Sequence, residues 1–171
     1  MHVGMRLIII YYSRTGTNQK LCQELQKALN CDMEQIIDKM DRRGIWNFIL
    51  AGRDAMLKKL TQIEPLKKEL SPYDLVIIGT PLWVGTLPPA TRTFLRQNKD
   101  LIKRIAVISV SGMGESNRNA LSIIEAEGGR KPEPILILSE KDYKQGAYRS
   151  KFEDFVRGIQ VFQKLKGDLQ G

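Results

Sequence analysis

The chain has 171 residues, 42% of them apolar and 27% charged, the size and balance of one domain with an ordinary core. Its 27 Lys and Arg against 19 Asp and Glu give a formal charge of +8, which points to an acidic partner, an anionic ligand, nucleic acid or a membrane surface without choosing among them. Two cysteines, Cys22 and Cys31, and one histidine, His2, exclude a disulfide framework, a thiolate metal cage, Ser-His-Asp and Cys-His catalysis, and histidine-based metal chemistry.

Taken in chain order, residues 1–6 pass directly into an apolar run without a small-residue cleavage site, so they do not read as a signal peptide. No apolar run approaches the length of a membrane span, and a cytoplasmic protein is expected. Residues 6–12 are β-branched and aromatic, the pattern of a strand buried on both faces. Leu21, Cys22, Leu25, Ala28 and Leu29 then recur at helical spacing, with Thr17 or Asn18 available as a cap and Cys22 facing the core. A short strand is expected at 33–37 and a helix at 45–60, closed by Glu64-Pro65. Residues 75–79 form another buried strand, and Pro88-Pro89 opens a helix through Phe94 and Leu95. Strands at 105–110 and 135–138 follow, with a helix at 117–126 between them and a last helix at 152–164. Basic pairs such as Lys58-Lys59 and Arg130-Lys131 are scattered without interleaved aromatics, so no specific nucleic-acid reader is expected.

This alternation predicts a single α/β domain with one parallel sheet covered on both faces. Ligands of such sheets bind beyond the carboxyl ends of the strands, where the winding direction reverses, so the loops after the first, third and fourth strands carry the chemistry. The first, Ser13, Arg14, Thr15, Gly16, Thr17 and Asn18, places hydroxyls and a glycine before a helix start, a cradle for a phosphate or an ordinary capped turn. The second, Thr80, Pro81, Leu82, Trp83, Val84 and Gly85, is apolar where a loop should be polar; Trp83 either stacks on a flat ring or packs into the core. The third, Ser111, Gly112, Met113 and Gly114, either lets the backbone approach a ligand or is a flexible connection.

Together the three loops resemble those of the flavodoxin-like, FMN-binding family, over nearly the whole chain. The first is similar to that family's phosphate loop, and the second and third to its two isoalloxazine loops. The resemblance implies a three-layer flavodoxin-like fold with strand order 2-1-3-4-5 and FMN at the sheet edge, held by the residues just named. It further implies an electron-transfer protein serving a redox partner, or, as the alternative, an oxidoreductase taking NAD(P)H and a quinone-like acceptor. No catalytic side chain and no metal is implied. Two departures stand out: Met113 occupies a place where many classical flavodoxins carry a second aromatic, and the +8 charge contrasts with their common acidity. Residues 41–64, an extended helical crossover, concentrate Ile45, Trp46, Phe48, Ile49 and Leu50, which exceed one helical face. They cover the flavin site, form a homodimer contact, or are a deeply buried helix.

Overall fold

The computed structural model describes residues 5–40, 60–82, 86–112, 114 and 119–168. In chain order these form β1 (Leu7–Tyr11), α1 (Thr17–Leu29), β2 (Asp32–Gln35), β3 (Leu75–Gly79), α2 (Pro89–Asn98), β4 (Ile105–Ser111), α3 (Asn119–Gly128), β5 (Pro132–Ser139), α4 (Glu140–Lys144) and α5 (Arg149–Asp168). The five strands make one sheet in the order β2-β1-β3-β4-β5, every neighbouring pair parallel. The expected architecture is therefore present, and the winding reverses between β1 and β3.

β1, β3 and β4 are buried at every position because helices cover both faces of the sheet, which is why they read as uninterrupted apolar runs. Successive side chains turn to opposite faces. Leu7, Ile9 and Tyr11 pack with Leu21, Cys22 and Leu25 of α1 and with Phe155 and Ile159 of α5. Ile8 and Ile10 pack with Ala90, Phe94 and Leu95 of α2 and with Ala120 and Ile124 of α3.

The differences from expectation lie at element ends. β2 stops at Gln35 rather than 37: Ile36 still donates to the Tyr11 carbonyl (2.7 Å), but Ile37 accepts from the Glu64 N–H (2.9 Å). That bond belongs to an antiparallel bridge between Asp38 and Ile63, which makes the end of the crossover extended rather than helical. The Thr61 hydroxyl donates to Asp38 (2.8 Å), and Thr61 exchanges two hydrogen bonds with the Thr93 hydroxyl of α2 (3.0 and 3.1 Å). Residues 41–59, including Ile45, Trp46, Phe48, Ile49 and Leu50, lie outside the described residues. β5 begins three residues before the expected strand, α3 runs two residues past its expected end, and α5 starts at Arg149. α4 was not foreseen: none of its residues is buried, and it begins because Ser139 caps it by accepting from the Asp142 N–H (3.0 Å).

One close approach sets the height of α1 above the sheet. A Cβ on Gly79 would stand 2.2 Å from the Cys22 Sγ and 3.0 Å from the Tyr11 Cβ, so only glycine lets the helix sit there. Overpacking of this kind costs about 1–3 kcal/mol. Gly79→Ala should lower unfolding stability by that amount in urea titration. Cys22→Ala in the same chain should restore at least about 0.5 kcal/mol through non-additivity; strictly additive losses would show that the two sites do not meet.

Candidate functional site

β1, β3 and β4 are adjacent and parallel, so the loops that leave their carboxyl ends converge on one edge of the sheet. The first begins with Tyr12, whose N–H donates to the Gly79 carbonyl (2.8 Å), and is shaped by Ser13, whose hydroxyl accepts from the Gly16 N–H (3.1 Å). Gly16 has φ +87°, the left-handed region, and stands at the N-cap position of α1 with no side chain to cap it. The expected cap from Thr17 or Asn18 is therefore corrected: both residues lie inside the helix, one and two positions past the cap. The first helical bond runs from the Lys20 N–H to the Gly16 carbonyl (3.0 Å), which leaves the N–H groups of Thr17, Asn18 and Gln19 ahead of the ladder.

Around that start stand the hydroxyls of Thr15 and Thr17, 3.5 Å apart and on the exposed side, with Arg14 half-buried in the same turn. A Cβ built on Gly16 would meet nothing within 4 Å, so the turn opens onto free space. Uncapped N–H groups, the positive end of the helix dipole and two outward hydroxyls form a donor set that fits a phosphate. Asn18 is different. It is 4% exposed, and its amide bonds the Val110 backbone in both directions, Nδ2 to the carbonyl (2.9 Å) and Oδ1 from the N–H (2.8 Å). Only its backbone N–H faces the cradle.

In the second loop Thr80 and Leu82 turn inward. Thr80 is fully buried with its hydroxyl 2.8 Å from that of Thr91, its N–H donates to the Ile108 carbonyl (3.2 Å), and Leu82 belongs to the core cluster on the α2 face. What these residues offer outward is backbone, along with Pro81, which is half-buried. Trp83, Val84 and Gly85 lie outside the described residues, as does Met113 of the third loop. In that loop Ser111 is 3% exposed at the end of β4. Gly112 has open space where a Cβ would stand, whereas a Cβ on Gly114 (φ +52°) would lie 3.1 Å from the Ser139 Cβ. Gly114 thus seats the third loop against the cap of α4.

The frame behind these loops contains residues the sequence did not announce. Arg92 is 1% exposed; it donates from Nη2 to the Thr86 hydroxyl (3.0 Å) at the far end of the second loop and from Nη1 to Glu127 of α3 (2.7 Å). Its Nε and the Ser109 hydroxyl are buried without a partner. Glu127 also accepts from Arg96, and this bond, more than the one from Arg92, holds its carboxyl below the ordinary value against the opposing effect of burial. On the other face Tyr143 and Tyr148 both donate to Glu24 of α1 (3.3 and 2.7 Å). Burial, reinforced by that carboxylate, pushes the Tyr143 phenol up to about 12. Among the described residues no group of His, Cys, Asp and Glu could hold a metal ion, and no helix is long and apolar enough to cross a membrane.

Strand order, layers and the edge on which the three loops meet define a flavodoxin-like fold. Solved structures agree. A flavoprotein from Lactobacillus acidophilus, crystallised in complex with FMN, is 18% identical and superposes with a TM-score of 0.68 over 87% of this chain and 99% of its own. A flavodoxin, WrbA-like protein from Agrobacterium tumefaciens is 12% identical, with a TM-score of 0.53 over 92% and 96% of the two chains. The Trp repressor binding protein of Bacillus subtilis is 13% identical, with a TM-score of 0.55 over 90% and 98%. No protein-family model matches the chain, and no curated protein matches it in sequence.

The depressed Glu127 carboxyl makes a signed prediction. A carboxyl lowered in the folded state stabilises that state above its unfolded value, roughly 4.3, and the benefit is lost as the pH falls through the folded value. Glu127→Gln should therefore be less stable than the parent at pH 7, and the gap between their melting temperatures should close on acidification below about pH 4. A gap that stays constant from pH 7 to pH 3 would show that the carboxylate charge contributes nothing there.

Proposed function

We propose that this chain binds FMN at the carboxyl edge of its sheet and passes electrons between redox partner proteins. The observation that carries the reading is the unblocked first turn of α1, with Gly16 left-handed and the hydroxyls of Thr15 and Thr17 beside it, at the reversal of winding and next to the two loops read as ring-binding. The complex with FMN formed by the Lactobacillus acidophilus flavoprotein of like fold supports it. One phosphate cradle, with no second among the described residues, suits a mononucleotide better than FAD.

In this reading Thr15, Thr17, Arg14 and the N–H groups at the helix start hold the phosphate, while Ser13 and Gly16 shape the turn. Backbone of Thr80, Pro81 and Leu82, with Trp83, Val84 and Gly85, borders the ring on one side; Ser111, Gly112, Met113 and Gly114 border it on the other. The bound cofactor supplies the redox chemistry. The chain's part is to hold and orient it, with the side chains of Thr15, Thr17 and Arg14 and with backbone groups. The whole chain acts as one domain, and its +8 charge suits an acidic face on the partner.

The purified chain should bind FMN one to one. Replacing Thr15 and Thr17 together by Ala should weaken FMN by at least about 2 kcal/mol, since hydrogen bonds to charged groups contribute about 1.5–3 kcal/mol each. Riboflavin affinity should change little. An FMN dissociation constant unmoved by the double substitution would refute the placement. Steady-state oxidation of NADH or NADPH by a quinone should be negligible without a partner protein; brisk turnover would replace the carrier reading with that of an NAD(P)H:quinone oxidoreductase.

A further inference from the structure

The amino-terminal edge of the sheet gathers positive charge. Because all five strands are parallel, the residues that precede them share one edge. It lies opposite the three loops of the site, about 20 Å away along β4. Arg6 precedes β1, Arg104 precedes β4 and Lys131 precedes β5. Ile105 pairs with Pro132, which sets Arg104 and Lys131 side by side, and both line a hollow of about 130 Å³. Lys99 follows α2, and a Cβ on Gly129 would stand 3.9 Å from its Cβ, so Arg130 lies next to it. Lys103, and Lys164 in the last part of α5, complete the group; every one of these cations is exposed.

The carboxylates among them are Asp74, Asp100 and Glu133, with Glu125 a turn back along α3. Asp74 is taken up by the Arg6 N–H (3.0 Å) and by Lys103 (4.0 Å). Among the described residues Lys99, Arg104, Arg130 and Lys131 have no ion-pair partner; Arg104 lies over the Phe162 ring instead, 5.3 Å from its centre. Helix ends account for Lys99 and Arg130, but not for Arg6, Lys103, Arg104 and Lys131. Two apolar side chains stand out beside this charge: Leu101, 47% exposed between Lys99 and Lys103, and Val161, 54% exposed and next to Phe162. We propose that this edge rests on an anionic lipid surface, with the three loops of the site facing away from it. A lipid surface takes both parts of the patch, its headgroups the cations and its acyl boundary Leu101 and Val161. A nucleic-acid backbone would use the cations alone, and a redox partner has to reach the opposite edge. Only that last step leans on the FMN reading.

The test is cosedimentation of the purified full chain with vesicles in about 0.1 M salt. Phosphatidylcholine vesicles containing about one third phosphatidylserine should bind it at least about tenfold more tightly than phosphatidylcholine alone. Each cation near such a surface contributes about fivefold, so Arg104→Gln with Lys131→Gln should lose about tenfold or more. Lys141→Gln with Lys144→Gln removes the same charge from α4, at the other edge, and should lose less than about threefold. Leu101→Ser should weaken binding severalfold without altering its salt dependence. All five positions are exposed; should a variant still fail to fold, the wild-type protein answers, since about 0.5 M salt should release it from the anionic vesicles. Equal binding to the two kinds of vesicle, equal losses in the two double variants, binding indifferent to salt, or indifference to Leu101→Ser would each overturn the proposal. Duplex DNA bound more tightly than the anionic vesicles, through Arg104 and Lys131, would replace lipid by nucleic acid. FMN binding, measured on the same samples, separates the two readings: vesicle binding without FMN removes the carrier reading alone, and FMN binding without vesicle binding removes the lipid contact alone.

Discussion

The distance between α1 and the sheet governs the rest of the site. Gly79 has no side chain, so Cys22 descends until its sulfur occupies the place a Cβ would take, and the start of the helix drops to the level of the strand ends. At that level the Asn18 amide reaches Val110, and the first-turn N–H groups open onto the sheet edge rather than above it. A helix riding higher by the thickness of one methyl group would lose both relations. Cys22, fully buried, has its thiol pushed far above the ordinary range, by burial first and then by the neighbouring Cys31, which fits a packing role rather than a reactive one.

The other face is held by charge where α1 is held by shape. Arg92 lies under the second loop with only its terminal nitrogens paired, one on the loop and one on α3. Burial of a guanidinium is tolerable because Glu127 neutralises it and Thr86 accepts from it. The outcome is a polar strut from the end of the second loop to the helix that follows the third. Tyr143 and Tyr148, converging on Glu24, make a comparable brace between α1 and the chain that follows β5. The site thus rests on three tethers, each joining elements distant in sequence.

How much of this was legible in the sequence follows from the range of the forces involved. β1, β3 and β4 declare themselves because a strand covered on both faces must be apolar throughout, and helices between them impose parallel pairing. The start of β5 was missed because its first residues include exposed Glu133, and α4 because a five-residue helix with no buried residue has no period to read. Topology alone directs the search to the carboxyl ends of β1, β3 and β4, but it says nothing of the work of individual side chains there. Asn18 reads as a ligand or a cap until Val110, 92 residues away, is set beside it. Thr80 and Leu82 read as lining until Thr91 and the α2 core are seen to claim them. Arg92 carries no signal in the sequence because its partners, Thr86 and Glu127, come from two other elements.

The paired threonines at the foot of the crossover carry a different implication. Asp38, Thr61 and Thr93 tie the chain leaving β2 to the chain returning toward β3, and both to α2, so residues 40 and 60 are brought to a common foot whatever separates them. Closing a longer excursion across such a foot costs only about 0.6 kcal/mol for each doubling of its length. The rim of the sheet can therefore carry a segment of almost any length between these two points at little cost, while the strands, the helix start and the Asn18–Val110 hydrogen bonds beneath stay as they are.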